Sequence, residues 1–233
     1  MTRRNTAIAA PAPASDPAPA RTAGPGRPKD LAKRAAILEA AKQLFLEQGY
    51  QGVSMDQIAA TAGVSKLTVY SHFGDKETLF AAAITASCEE VLPEELFARP
   101  PAGSLREQLH GIGRAFFDLI ISDEAISMHR LMNTPGTAEN AMRELFWNAG
   151  PQRLQAAFAR FLQPHVDAGR LRIDDIPLAA SQFFCLLKGE LHPMMACGLC
   201  RQPGEAEVAR HGSVAVSDAG DVIRVKMGQE KVA

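Results

Sequence analysis

Apolar positions recur at helical spacing along most of the chain. From Asp30 to Gly49 they are Leu31, Ile37, Leu38, Ala41, Leu44 and Phe45, with Lys33, Arg34, Glu39, Lys42 and Glu47 largely elsewhere. That is the signature of a helix burying one stripe, and Gly49 supplies its stop. Ser54-Met55-Asp56-Gln57 reads as a capping box, its hydroxyl accepting from the amide three residues on while Gln57 reaches back, and opens a short helix to about Ala62. Gly63 turns the chain, and Ser65 caps a second short helix from Lys66 to about His72, with Val69 and Phe73 as inward anchors.

Further on, the same periodicity predicts a helix from Asp75 to Val91 and another opened by the capping box Ser104-Leu105-Arg106-Glu107. Asp123 caps a helix that stops near Pro135-Gly136, and Thr137 to Ala149 forms the next. Pro151 starts one that ends at Gly169, and Pro177 begins one running to about Leu191. β-branched runs bounded by turns are scarce. The fold class is therefore all-α, with a group of short helices followed by a longer helical body.

Composition narrows the functional classes. Of 233 residues, 46% are hydrophobic, and the formal charge is only −1. Any polyanion site must then be local. Residues 1–80 hold ten Lys and Arg against seven Asp and Glu, while the remainder holds fifteen against nineteen. The basic end is the one carrying the two short helices. Cys88, Cys185, Cys197 and Cys200 are too few and too unevenly spaced for a disulfide framework, which points to a reducing cytoplasm. Pro11, Pro13, Pro17 and Pro19 interrupt what an export signal would need as a continuous apolar run. No stretch approaches a membrane span. Glycine-rich phosphate loops, His-Glu-x-x-His and Gly-x-Ser-x-Gly are all missing from the sequence, so an enzyme and a resident cofactor are not expected.

Two short helices joined at Ala62-Gly63-Val64-Ser65 match a helix-turn-helix, a spacing that a plain helical hairpin also shows. The second helix adds the chemistry. Lys66, Thr68, Tyr70, Ser71 and His72 are short or planar hydrogen-bonding groups suited to phosphates and base edges.

At this level the sequence resembles the TetR/AcrR family of bacterial regulators. The resemblance is carried by Ala41-Lys42-Gln43-Leu44-Phe45 through Gly49-Tyr50, Met55-Asp56-Gln57-Ile58-Ala59 to Gly63-Val64-Ser65-Lys66, and Thr68-Val69-Tyr70-Ser71-His72-Phe73 with Gly74-Asp75-Lys76-Glu77-Thr78-Leu79-Phe80. It implies a recognition helix at Lys66 to Phe73, a long fourth helix, and a body that binds an inducer and dimerises. By the same resemblance Tyr70, His72 and Lys76 meet phosphates and Ser54 donates to one, while Ser65, Lys66, Leu67 and Thr68 face the groove for base readout. Packing against the first helix is the plain alternative for Tyr70 and His72, and capping alone for Ser65. Leu67 departs from the polar or glycine residue often found there, and an apolar side chain can pack on thymine methyls. Arg27, in Gly26-Arg27-Pro28-Lys29, is placed either in a minor groove by an extended arm or in a featureless linker.

The body resembles AefR-type members through Gly150-Pro151-Gln152-Arg153-Leu154, Gly169-Arg170-Leu171-Arg172-Ile173-Asp174-Asp175, and Phe183 to Lys188-Gly189. Phe116, Phe117, Met128, Met132, Met142, Phe146, Trp147, Phe158 and Phe184 are candidates for an apolar pocket with His129 or His165 as polar handle, or for ordinary core. No ligand-binding residue is singled out. The division expected is a disordered Ala/Pro-rich arm at 1–29, a DNA-binding domain at 30–76, a ligand-binding and dimerisation domain at 77–210, and an atypical tail at 211–233. In that tail Gly212, Gly220 and Gly228 break any helical period.

The expected activity is that of a homodimeric repressor on a palindromic double-stranded operator, released by an apolar or amphipathic small molecule. Two alternatives stay open. One is redox or metal sensing through Cys197 and Cys200, with His192 and His211 as further ligands; the other is DNA binding without ligand control.

Overall fold

The computed structural model describes residues 26–98, 104–134 and 139–200, with Gly204 and Ala206 besides. Among them every regular element is a helix: α1 (Gly26–Gly52), α2 (Met55–Thr61), α3 (Lys66–Phe73), α4 (Lys76–Val91), α5 (Glu95–Ala98) and α6 (Leu105–Ile120). There follow α7 (Asp123–Asn133), α8 (Asn140–Trp147), a π-helical turn (Asn148–Gln152), α9 (Arg153–Asp167), α10 (Ile176–Lys188) and α11 (Leu191–Ala196). The all-α expectation holds.

Side-chain caps begin most of the helices, because the first amides of a helix lack partners within it. Ser54 and Ser104 form the two capping boxes read from the sequence, and Ser65 and Asp75 cap α3 and α4. At α7 the cap is Ser122, whose hydroxyl accepts from the Ala125 amide, and Asp123 becomes the first helical residue. The hydroxyl suffices there, leaving the Asp123 carboxylate in the first turn, where the helix dipole favours it.

Three further expectations are corrected. Pro151 does not start a separate helix: the chain passes from α8 into α9 through the π-helical turn that contains it. The wider turn shifts the hydrogen-bonding register where proline has no N–H to give. Similarly, α10 stops at Lys188 and not near Leu191, because Gly189 adopts φ 49°, and a short α11 follows it. Finally, α1 begins at Gly26, so Arg27 joins a first helical turn in place of an extended arm. Proline is tolerated in that turn, which explains why Pro28 does not prevent it. The side chain of Arg27 lies outside the described residues, as do residues 1–25 and the tail from 207 onward.

Two hydrophobic clusters organise the molecule. The first gathers Ile37, Ala41 and Phe45 of α1, Ile58 of α2, Val69 and Phe73 of α3, and Leu79, Phe80 and Ile84 of α4, joined by Met128 and Met132 of α7 and Met142 of α8. The second fills the space between α6, α9 and α10, where Phe158 stacks on Phe183 with ring centroids 4.4 Å apart and Phe116 meets Phe184 at 4.4 Å. The helix α4 lies along both. Its Glu90 pairs with Lys42 of α1, and its Glu89 pairs with Arg153 of α9. Against its middle, Thr85 donates to the carbonyl of Ala149 at 3.2 Å, and a Cβ built on Gly150 would lie 3.3 Å from the Ile84 Cγ2. Glycine there eases the close approach to the π-helical turn, and a Cβ would ask the Ile84 side chain to give by a few tenths of an ångström.

Candidate nucleic-acid interface

The turn between α2 and α3 is held by Gly63 at φ 65°, a conformation that costs other residues. Across it Lys66 reaches Asp56 of α2, its Nζ 2.8 Å from Oδ1, and this carboxylate holds the ammonium pKa above its ordinary value. The same ammonium lies 5.9 Å from the centre of the Tyr70 ring. Val69 and Phe73 face inward as expected, so Ser65, Lys66, Leu67, Tyr70 and Ser71 are left on the exposed side of α3.

The residues expected to meet DNA divide by how they are engaged. Ser65 Oγ accepts from the Thr68 amide at 3.2 Å and contacts Thr68 Oγ1 at 2.8 Å. Both groups are therefore tied into the cap. Ser54 is occupied in the same way by Gln57. His72 is mostly covered, and its Nε2 lies 3.0 Å from Asp30 Oδ1 of α1. Leu67 has no such tie and is 79% exposed.

Lys76 stands at the start of α4 with its Nζ 4.1 Å from the centre of the Tyr50 ring. That ring packs edge-on to Phe80 at 5.4 Å and stacks on Phe45 at 5.8 Å, so the seat beneath the ammonium is rigid. Partial burial lowers the Lys76 pKa, and burial raises that of Tyr50. A fixed cation beside a helix N-terminus is suited to a phosphate. In the sequence Tyr50 carries no sign of this role, nor do Asp30 and Asp56 of theirs as partners. Only the pairing of separate helices reveals them. Ser54, Ser65, Lys66, Tyr70 and Lys76 belong to adjoining elements, and exposed Arg34 on α1 adds charge to this side, lying 5.2 Å from the centre of the Phe73 ring.

The pocket candidates are not brought together as one set. Phe116, Phe117, Phe158 and Phe184 are buried in the second cluster, whereas Met128, Met132 and Met142 are buried in the first, with Phe146 at its edge. Trp147 is 49% exposed. His165 accepts from Arg170 Nε at 3.1 Å, and His129 of α7 packs edge-on against His192 of α11 at 4.9 Å. Cys197 and Cys200 are free thiols, and His211 lies outside the described residues. Among the described residues no three His, Cys, Asp or Glu side chains converge to hold a metal ion. No helix among them is long and apolar enough to cross a membrane.

Comparison with known proteins agrees with this geometry. Residues 37–83 match the family model of bacterial regulatory proteins of the tetR family, and residues 107–217 match the C-terminal domain of AefR-like transcriptional repressors. The transcriptional regulator YdeS of Bacillus subtilis is 31% identical over 152 residues, covering 63% of this chain and 71% of YdeS. The transcriptional activator FasR of Mycolicibacterium smegmatis is 34% identical over 107 residues, 46% of this chain, and the match spans about half of FasR, 48%. Among solved structures, a TetR-family regulator from Mesorhizobium loti superposes with a TM-score of 0.66 at 27% identity, covering 83% of this chain and 98% of that one. The flavonoid-responsive regulator FrrA gives a TM-score of 0.59 at 32% identity over 82% of this chain and 96% of FrrA. The chain belongs to the TetR family of transcriptional regulators, whose members bind DNA and act as dimers.

Proposed function

We propose that this regulator is a repressor that sits as a twofold dimer on a palindromic operator and leaves it when a small molecule binds the helical body. Residues 30–76 are the DNA-binding head in this reading and 77–210 the ligand-binding and dimerisation domain. The observation that carries it is the exposed face of α3 set beside the Lys76 ammonium, a helix and a cation positioned for one groove and its flanking phosphate. Ser54, Ser65, Lys66, Tyr70, His72 and Lys76 position the head on DNA, and Arg27 contributes from the N-terminal side.

Repression is favoured over activation by the match of residues 107–217 to an AefR-like repressor domain. The AcnR protein of Corynebacterium diphtheriae, 26% identical over 155 residues, is likewise named a repressor, although FasR is named an activator. A second copy of the chain docks on α10, where Leu178, Gln182, Cys185 and Leu186 share one exposed face. Release requires an effector that distinguishes the DNA-bound arrangement from the free one, since equal affinity for both shifts nothing. Its route to the head is α4, which is paired with α1 through Glu90 and with α9 through Glu89.

The test is a titration of the purified chain against the DNA upstream of its own coding region, with competitor DNA, followed by a small-molecule screen by melting shift. Competitor-resistant binding with a twofold footprint, relieved by a compound that raises the melting temperature, supports the proposal. A stabilising compound that leaves the footprint unchanged removes ligand-controlled release from it.

A further inference from the structure

We propose that Leu67 reads the 5-methyl group of a thymine in each operator half-site, making one position of the operator depend on an apolar contact. The inference rests on the reading of α3 as the recognition helix. Within the first turn of α3 the polar groups are already engaged inside the protein. Ser65 and Thr68 hold one another through the cap, and Lys66 is paired with Asp56. In the second turn, Ser71 Oγ donates to the Thr68 carbonyl at 2.8 Å and His72 is paired with Asp30. Leu67 has no such engagement. It belongs to neither hydrophobic cluster and is 79% exposed, on a helix where Val69 and Phe73 are buried and the Tyr70 ring is 41% exposed beneath the Lys66 ammonium.

Position decides what covers this leucine. It stands on the second helix of the helix-turn-helix, within residues 37–83 that match the tetR regulator model, next to Lys66 and with Lys76 three residues past the helix end, which favours a DNA groove over an apolar protein face. Within the major groove, hydrogen-bonding edges offer a leucine nothing, and the thymine methyl is the apolar group that distinguishes one base. Leu67 is therefore a specificity-determining residue by what it excludes as well: placed against the donor or acceptor edge of another base, it removes water and returns no hydrogen bond.

The decisive experiment removes the methyl and leaves the base pair. The purified full chain is first used to select an operator from random duplex DNA, and each thymine is then replaced in turn by deoxyuracil in both half-sites. One symmetric pair of positions is expected to lose about fourfold in affinity per half-site, and roughly fifteenfold together, the equivalent of one buried methyl in each. Leu67→Ala should bind the thymine operator as weakly as the wild type binds the uracil operator, and uracil should cost the variant nothing more. Because Leu67 is exposed, the variant's melting temperature should match the wild type's. A selected operator on which uracil is tolerated at every position, or a Leu67→Ala protein that still prefers thymine, overturns the inference and leaves the DNA-binding reading standing. A library that yields no enriched sequence overturns both.

Discussion

Replacing Lys76 by methionine separates a phosphate contact from a packing contact. Methionine keeps an unbranched apolar stem over Tyr50 and removes only the charge, whose Nζ sits 4.1 Å from the ring centre in the wild type. Each phosphate neutralised by a cation contributes about −0.9 to the slope of log affinity against log salt. A twofold dimer places two copies of Lys76 on the duplex, so the slope should become shallower by about 1.8. Between 50 and 200 mM salt, a fourfold range, the wild type's advantage over the variant should shrink about twelvefold. Stability is the control. A cation over an aromatic ring at a partly exposed site contributes about 0.5–1 kcal/mol, a melting shift of roughly 1–4 °C for a chain of this size. Fluorescence anisotropy on a fixed operator, from 50 to 200 mM salt, measures the slope directly. A variant with lowered melting temperature and unchanged slope would refute the phosphate assignment and leave Lys76 as a buttress for Tyr50.

Other consequences follow from the packing around α4 and in the body. A cysteine introduced as Gly150→Cys should crosslink to Cys88, whose Sγ lies 3.7 Å from a Cβ at position 150; the oxidised protein should bind operator yet ignore effector, and reduction should restore release. Burial pushes the Cys88 thiol up to about 11, so crosslinking at neutral pH should need a catalysed oxidant, and retained release in the crosslinked form would reject α4 as the lever. Phe158→Ala, at a site that is 0% exposed, should cost about 3–5 kcal/mol in urea unfolding; a loss under 1 kcal/mol would contradict the stacked core. Burial first, then the nearby His129 and Lys188, push the His192 pKa down to about 4 from an ordinary value near 6.5. The unfolded chain then binds more protons in that window, so stability is full above about pH 6.5 and is lost as pH falls toward about 4, by roughly 1 kcal/mol per unit at most. His192→Phe should flatten the dependence of urea midpoint on pH between 7 and 5, and an unchanged dependence would exclude this pair as its source.

Local signals were legible in the sequence, and contacts between distant segments were not. Ser54 with Gln57 and Ser104 with Glu107 each announced a helix start, because a capping box is complete within four residues. Val69 and Phe73 were recognisable as inward anchors for the same reason of short spacing. The choice of Ser122 over Asp123 turned on which of two adjacent oxygens reaches an amide, a matter of backbone angle. Pro151 misled because a π-helical turn absorbs a proline that would break an ordinary helix, and periodicity carries no mark of it. The pairs His72 with Asp30 and Lys76 with Tyr50 join residues 42 and 26 positions apart, and only the packing of α1 against α3 and α4 creates them. The pocket candidates failed as a group because helical spacing identifies a buried face without saying which of two cores receives it. Phe158 and Met142 both fall on apolar stripes at helical spacing and lie in different clusters.

The central claim is that two copies of this chain read one palindromic site through α3. It is tested most directly by footprinting the protein on DNA enriched from a random duplex library and measuring the mass of the same complex. Two protected half-sites about one helical turn apart or somewhat more, related by a dyad and bound by at least one pair of chains, are the predicted result. Protection of a single half-site by one chain, or no enriched sequence at all, would contradict it.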